Sequence, residues 1–143
     1  MYDREPVTTW TKGRTTLLGD AAHPMLQYLA QGAGQALLDG AALATSLPRL
    51  GQNPWSTTGL AEALNAYERE RVDFAGRVQT TARVWGDIWH VDTYVATLLR
   101  DEVFRSRGVH DYHLVDWLYG PVRENGRADS VSSKTTVSQS VHA

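Results

Sequence analysis

The chain has 143 residues, 42% of them hydrophobic and 21% charged, which is enough for one domain with its own core. A formal net charge of −2 gives no electrostatic footing for nucleic acid or an anionic membrane surface, so neither is expected as a partner. Cysteine is absent, which excludes disulfide and thiol chemistry and fits a reducing, cytoplasmic setting. No apolar run approaches the roughly 20 residues of a membrane span, and MYDREPVTTW is no apolar signal segment.

Residues 1–11 are polar, contain Pro6, and read as a loop or edge strand. Lys12-Gly13-Arg14 reads as a turn joining two short strands, Val7–Trp10 and the β-prone Thr15–Leu18. Residues 19–31 form a loop containing Pro24. From Gly32 onward, the spacing of Ala33, Ala36, Leu37, Ala41, Ala44 and Leu47 predicts a helix that Pro48 and Gly51 end. Ser56, Thr57 or Thr58 is placed to cap the next helix, with Glu62 in support. Leu60, Leu64, Tyr67, Arg71, Phe74, Val78 and Trp85 recur at helical spacing and predict one long helix over about 60–85, with continuation past Gly86 left open. A further helix is expected over 91–105, and a short aromatic one within RGVHDYHLVDWLYGP. Past Pro121, the Ser- and Thr-rich ENGRADSVSSKTTVSQSVHA predicts a disordered tail. The expected fold class is mainly α with a small β element. Its expected organisation is the end of a sheet region (1–18), a loop with a helical region (19–121) and the tail (122–143).

The chemistry is concentrated in GDAAHPMLQYLAQGAGQALLDG, from Gly19 to Gly40. A strand ending in Gly-Asp, then a loop, then a helix opened by glycines is a binding geometry. Asp20 is placed to accept hydrogen bonds from sugar or polyol hydroxyls, or else to cap its own loop. Gly32 and Gly34 keep side chains away from a helix start whose unpaired N–H groups and partial positive charge suit an electron-rich ligand edge. Pro24 stiffens the approach. Gly32-Ala33-Gly34 is half of a dinucleotide fingerprint, but Leu37 stands in the third glycine's place and no strand leads directly into it, so that label is rejected. His23 reads as a packing histidine, since no second ligand lies at metal spacing. His110, Asp111, His113 and Asp116 are metal-ligand types without a metal motif, and no metal site is expected. Trp85, Trp89 and Trp117 read as core or dimer-interface residues. The run Glu68-Arg69-Glu70-Arg71 reads as a solvated helix face, or as a source of partners (Arg71 and Arg77) for acids on another domain.

GRTTLLGDAAHP, Gly13 to Pro24, resembles the GD motif of the class A flavin-dependent aromatic hydroxylases. PMLQYLAQGA, YERERVDFAGRVQ, ARVWGDIWHVD and HDYHLVDWLYG are similar to the C-terminal third of the 3-hydroxybenzoate 6-hydroxylase family. The resemblance covers nearly everything from Pro6 to Gly120. It implies that the chain is a C-terminal fragment of an α/β FAD-binding monooxygenase fold. Asp20, with Gly19, would meet the ribityl chain of FAD, and Gly32, Ala33 and Gly34 would face the flavin's N1–C2 carbonyl edge. Pro24, with Met25, would touch the flavin through its backbone. Gln27 would hydrogen-bond the polar group of the substrate, with Tyr28 and Leu29 as wall; otherwise Gln27 is a surface glutamine. Where the family commonly has Glu-Asp-Ala in the helix, this chain has Leu38-Asp39-Gly40, which predicts weaker packing there at a cost of about 1 kcal/mol for the glycine.

The implied cofactors are FAD and NADH (or NADPH) as electron donor, and the implied reaction is hydroxylation of a phenolic aromatic acid by dioxygen at the reduced flavin. The glycine-rich βαβ unit for the ADP half of FAD is absent from this sequence, as is a second mid-chain motif of the family. The 143-residue chain is therefore expected to bind FAD poorly, to expose an apolar face and to be inactive alone. A homodimer through the helical region is a further expectation. The alternatives are a salicylate hydroxylase-like parent, or a non-catalytic helical remnant that acts only in association.

Overall fold

The computed structural model describes residues 3–47 and 57–120. The chain divides into two compact units, Met1–Val109 and His110–Ala143. The first holds strands β1 (Thr11–Lys12) and β2 (Thr15–Thr16) and helices α1 (Gly32–Ser46), α2 (Thr57–Trp89) and α3 (Tyr94–Ser106). Two single 3₁₀ turns, Gly19–Ala21 and Gln27–Leu29, lie between β2 and α1. The second unit contains the short helix α4, Asp116–Tyr119, entered by a turn in which the Val115 and Asp116 N–H groups donate to the Tyr112 carbonyl. Helices dominate and the sheet is small, as the sequence predicts. Pro48, Gly51, Ser56 and the expected tail lie outside the described residues.

The hairpin is shorter than expected, and its first strand is displaced toward the turn. Thr11 pairs with Thr16 and Lys12 with Thr15, antiparallel, and the Leu17 N–H adds one bond to the Trp10 carbonyl at 3.1 Å. Val7–Trp10 is not a strand, and the ladder stops where the Trp10 N–H turns to α2. The N–H groups of Trp10 and Thr11 donate to the Glu68 carboxylate on α2, at 2.8 and 2.5 Å. Gly13 has a φ of 62° at the first of the two loop positions, which suits a type II′ turn.

Helix α2 runs 33 residues, about 50 Å. Its buried stripe is the one read from the spacing. Tyr67, Ala75, Val78 and Ala82 are completely inaccessible, while Glu62, Arg69 and Arg77 face solvent. The helix continues past Gly86 to Trp89, the longer of the two ends the spacing leaves open. A Cβ at Gly86 would collide with the Tyr28 ring, so the glycine lets the Gln27–Leu29 turn sit directly on the helix. Tyr28 also makes an edge contact with His90, ring centroids 5.5 Å apart.

Helix α1 packs against α2, and the core between them is built on Trp10, Ala22, Ala42, Tyr67 and Ala75. The Tyr67 hydroxyl donates to the Leu17 carbonyl at 3.1 Å, so the largest fully buried side chain among the described residues is also satisfied. The leading segment is strapped along α2. Arg83 forms ion pairs with Asp3 (2.9 Å) and Glu5 (2.6 Å), and Gln79 donates to the Arg4 carbonyl. Helix α3 starts at Tyr94, later than expected, because Thr93 is extended (φ −82°, ψ 145°) and supplies the first carbonyl, which the Thr97 N–H bonds. Phe104 of α3 stacks against Trp85 and Trp89 of α2 at centroid distances of 6.3 and 5.5 Å.

Candidate functional site

The 19–31 segment leaves β2, bends through its two 3₁₀ turns, and delivers the chain to the start of α1. Between the first turn and the helix start lies an open cleft of about 610 Å³. Gly19, Asp20, Gln27, Gln31, Gly32 and Ala33 line it, with Asp20 next to Gly32. Six residues singled out from the sequence (Gly19, Asp20, Met25, Gln27, Gly32 and Ala33) are thus brought to one cleft. Pro24 is half-buried and Gly34 lies further along α1; neither lines the cleft. Leu29 is buried, and Tyr28 packs on α2, so neither forms cleft wall.

Local sequence dictates this shape. Gly19 is buried with a φ of 58°, and a Cβ there would stand 3.2 Å from the Ala36 Cβ, so both conformation and space require glycine. This puts Asp20, which is exposed, beside the helix start: a Cβ built on Gly32 would lie 4.0 Å from Asp20 Oδ1 and 4.0 Å from Met25 Cγ. Gln31 occupies the N-cap position and makes no side-chain cap bond. The leading amides of α1 therefore have neither an intrahelical carbonyl nor a capping side chain. The cleft offers a carboxylate that accepts hydrogen bonds on one side and a row of N–H donors with the positive end of a 15-residue helix on the other. Ala30 enters the helix from a left-handed conformation, φ 50°, a strained backbone for alanine at the cleft's edge.

Behind the cleft lies a buried polar cluster. Asp39 on α1 is fully inaccessible. Its Oδ2 accepts from the Gly19 N–H at 3.0 Å and from His23 Nε2 at 2.6 Å, while its Oδ1 accepts from Arg71 Nε at 2.8 Å. Facing a carboxylate, His23 Nε2 carries the hydrogen. A second nitrogen of Arg71 donates to Gln35 Oε1 at 2.6 Å, and Gln35 Nε2 donates to Gln31 Oε1 at 3.0 Å. Burial by itself raises the Asp39 carboxyl, but the hydrogen bonds from His23, Arg71 and Gly19 outweigh it and hold the pKa below the ordinary 3.8. Tyr67 is pushed the other way, upward, first by burial and then by the charge of Asp39.

This cluster corrects two expectations. Arg71 is not on a solvated face and needs no other domain for a partner; it is 7% exposed and paired inside this unit. Glu68 of the same run anchors two backbone amides. The stripe Leu64, Tyr67, Arg71, Phe74 already placed Arg71 on the inward face, a sign that its charge type obscured. A Cβ at Gly40 would meet open space. His23 is a packing histidine, 1% exposed, with its ring 5.5 Å from that of Trp10.

Comparisons with known proteins identify the family. Residues 3–82 match the family model described as FAD binding domain. The chain is 40% identical over 130 residues to 3-hydroxybenzoate 6-hydroxylase 2 of Aquipseudomonas alcaligenes, covering 90% of this chain and 38% of that protein. It is 40% identical over 119 residues to 3-hydroxybenzoate 6-hydroxylase of Polaromonas naphthalenivorans, covering 82% and 28% respectively. It is 37% identical over 121 residues to 3-amino-4-hydroxybenzoate 2-monooxygenase PtnB3 of Streptomyces platensis, covering 84% and 28%. The chain thus spans between a quarter and two fifths of the length of these relatives. A donor row facing a hydroxyl-accepting carboxylate, with glycine at the close approach, fits the polyol and carbonyl edge of a flavin. The chain belongs to the FAD binding domain family, within the class A FAD-dependent aromatic hydroxylases.

Proposed function

We propose that this chain is the C-terminal part of an FAD-dependent, NAD(P)H-using monooxygenase, and that its cleft holds the ribityl and isoalloxazine half of the cofactor. The observation that carries this reading is the juxtaposition of Asp20 with the uncapped start of α1 in the lining of one open cleft. Asp20 accepts hydrogen bonds from the ribityl hydroxyls. The amides of Gly32 and Ala33 donate to the flavin's carbonyl edge, and the helix end there favours negative charge by about 0.3–1 kcal/mol. Met25, which lines the cleft, supplies backbone contact, while Pro24 and Gly34, which do not line it, hold the loop and the first turn of α1 behind it. Bound FAD supplies the chemistry: it takes electrons from NADH (or NADPH) and delivers one atom of dioxygen to the ring, the other leaving as water. Gln27, exposed at the cleft's edge, hydrogen-bonds the substrate's polar group and so sets the ring's orientation.

The substrate is a phenolic aromatic acid, with 3-hydroxybenzoate going to 2,5-dihydroxybenzoate. The names of the relatives support the class: two are 3-hydroxybenzoate 6-hydroxylases and the third acts on an aminohydroxybenzoate. Because the chain spans only part of these relatives, the test is a chimera in which it replaces the matching segment of the Polaromonas naphthalenivorans enzyme. The chimera is expected to bind FAD and to form 2,5-dihydroxybenzoate from 3-hydroxybenzoate and NADH. Asp20→Ala is expected to lose FAD, and Gln27→Ala to keep FAD but yield less product per NADH consumed. A chimera that retains full FAD affinity with Asp20→Ala would overturn the assignment of the cleft.

A further inference from the structure

We propose that Asp39 is a positioning residue for the flavin cleft: from behind, its carboxylate fixes the Gly19 turn that aims Asp20, and through Arg71 and Gln35 it couples that turn to the residue opening α1. The inference rests on the reading of the cleft given above. Gly19 is the pivot. Its left-handed backbone sets the direction in which Asp20 leaves β2, and its buried N–H would be an orphan donor without Asp39 Oδ2 at 3.0 Å. The same oxygen holds His23 at 2.6 Å, four residues further along the loop. Both ends of the Gly19–His23 segment are therefore tied to one carboxylate.

The outer side of the segment is held by a charge of opposite sign. Arg4 donates to the carbonyls of Ala21 and Ala22 at 2.6 and 3.1 Å. An anion takes the donors of this loop from within, and a cation takes its acceptors from without. Across the cleft, Gln31 is reached by the chain Asp39 Oδ1, Arg71, Gln35, Gln31, with every link at 3.0 Å or less. Asp39, His23 and Gln35 are each no more than 1% exposed, so solvent does not compete for these bonds. A buried ion pair is weak evidence for stability by itself, because apolar residues of similar volume often stabilise equally well. What apolar residues cannot do is select one backbone conformation at Gly19 and link it to the opposite wall.

Riboflavin, which carries the ribityl chain and the ring without the ADP half, is the probe for the chain as it stands. Asp39→Asn and Asp39→Glu are compared with wild type and with Glu68→Gln, a variant that loosens the hairpin anchor away from the cleft. Each is measured by fluorescence titration of riboflavin and by amide hydrogen exchange at Gly19. Asp39→Asn is expected to raise Gly19 exchange and to weaken riboflavin binding roughly tenfold, the loss of a charge-assisted hydrogen bond. Asp39→Glu should restore part of both, and Glu68→Gln should lower thermal stability with riboflavin affinity unchanged. If Asp39→Asn does not fold, the double variant Asp39→Asn/Arg71→Met, which leaves no buried charge alone, takes its place in the same comparison. Folded Asp39 variants with wild-type riboflavin affinity and wild-type exchange at Gly19 would overturn the proposal. The cleft assignment is tested by the chimera; where the wild-type chain alone gives no riboflavin titration, Gly19 exchange decides on the clamp by itself, and unchanged exchange in folded Asp39 variants overturns it.

Discussion

Helices α1 and α3 are close in length, 15 and 13 residues, yet they use their side chains in opposite ways. Helix α1 turns polar residues inward: Gln35, Asp39 and Ser46 are buried, while Leu37 is 77% exposed. Helix α3 buries nothing, and Tyr94, Val95, Leu98 and Leu99 are all more than half exposed. The difference lies in what each helix faces. The inner side of α1 meets Arg71, His23 and the Gly19 amide, so hydrogen bonding decides which residues are inside. Helix α3 touches α2 through Phe104 against two tryptophans and leaves most of its apolar surface uncovered. Burial of polarity in α1 and exposure of apolar area in α3 both run against simple hydrophobic sorting, and only the first is organised around a cleft.

The contrast is broken most strongly at Arg71. Arg71→Leu leaves the Asp39 charge buried without its guanidinium and is expected to cost about 3–5 kcal/mol in urea unfolding. Next comes Gly86→Ala, which drives a methyl group into the Tyr28 ring; overpacking of this kind costs about 1–3 kcal/mol, and Tyr28→Ala in the same chain should recover part of it. The smallest effect belongs to α3. Leu99→Ser is expected to change stability by no more than about 0.5 kcal/mol, since that side chain is 64% exposed. A large loss at Leu99 and a small one at Arg71 would reverse the account of the two helices.

Acid sharpens the same comparison. Asp39 has a folded pKa below its ordinary 3.8, so the stability it contributes is complete above that value and is lost as pH falls through the lower, folded value. Asp39→Asn, having no such titration, is expected to show a flatter fall in stability with acid than wild type. Equal slopes between pH 5 and about 2 would remove Asp39 from that role.

Much of this was legible in the sequence, and the misses share one cause. Periodicity gave α1 and α2 because apolar residues repeat there at helical spacing, and Gly19, Asp20 and Gly32 marked the cleft because a glycine at a close approach leaves a trace. What escaped was the polar interior. Asp39 and Arg71 are 32 positions apart, and a charged residue in a helical stripe reads as solvated until its partner is seen across the interface. The β element differs for a related reason: Glu68, far along the chain, takes the Trp10 N–H that would otherwise extend the ladder beyond Thr11.

The central claim is that the cleft lined by Asp20 and the start of α1 receives a flavin ring and its ribityl chain. Amide chemical shifts of the chain, followed by NMR during titration with riboflavin and separately with ADP, test it most directly. Saturable shifts at Asp20, Gly32 and Ala33 with riboflavin, and none there with ADP, are the predicted result. Riboflavin shifts scattered elsewhere, with those three amides unmoved at saturation, would contradict it.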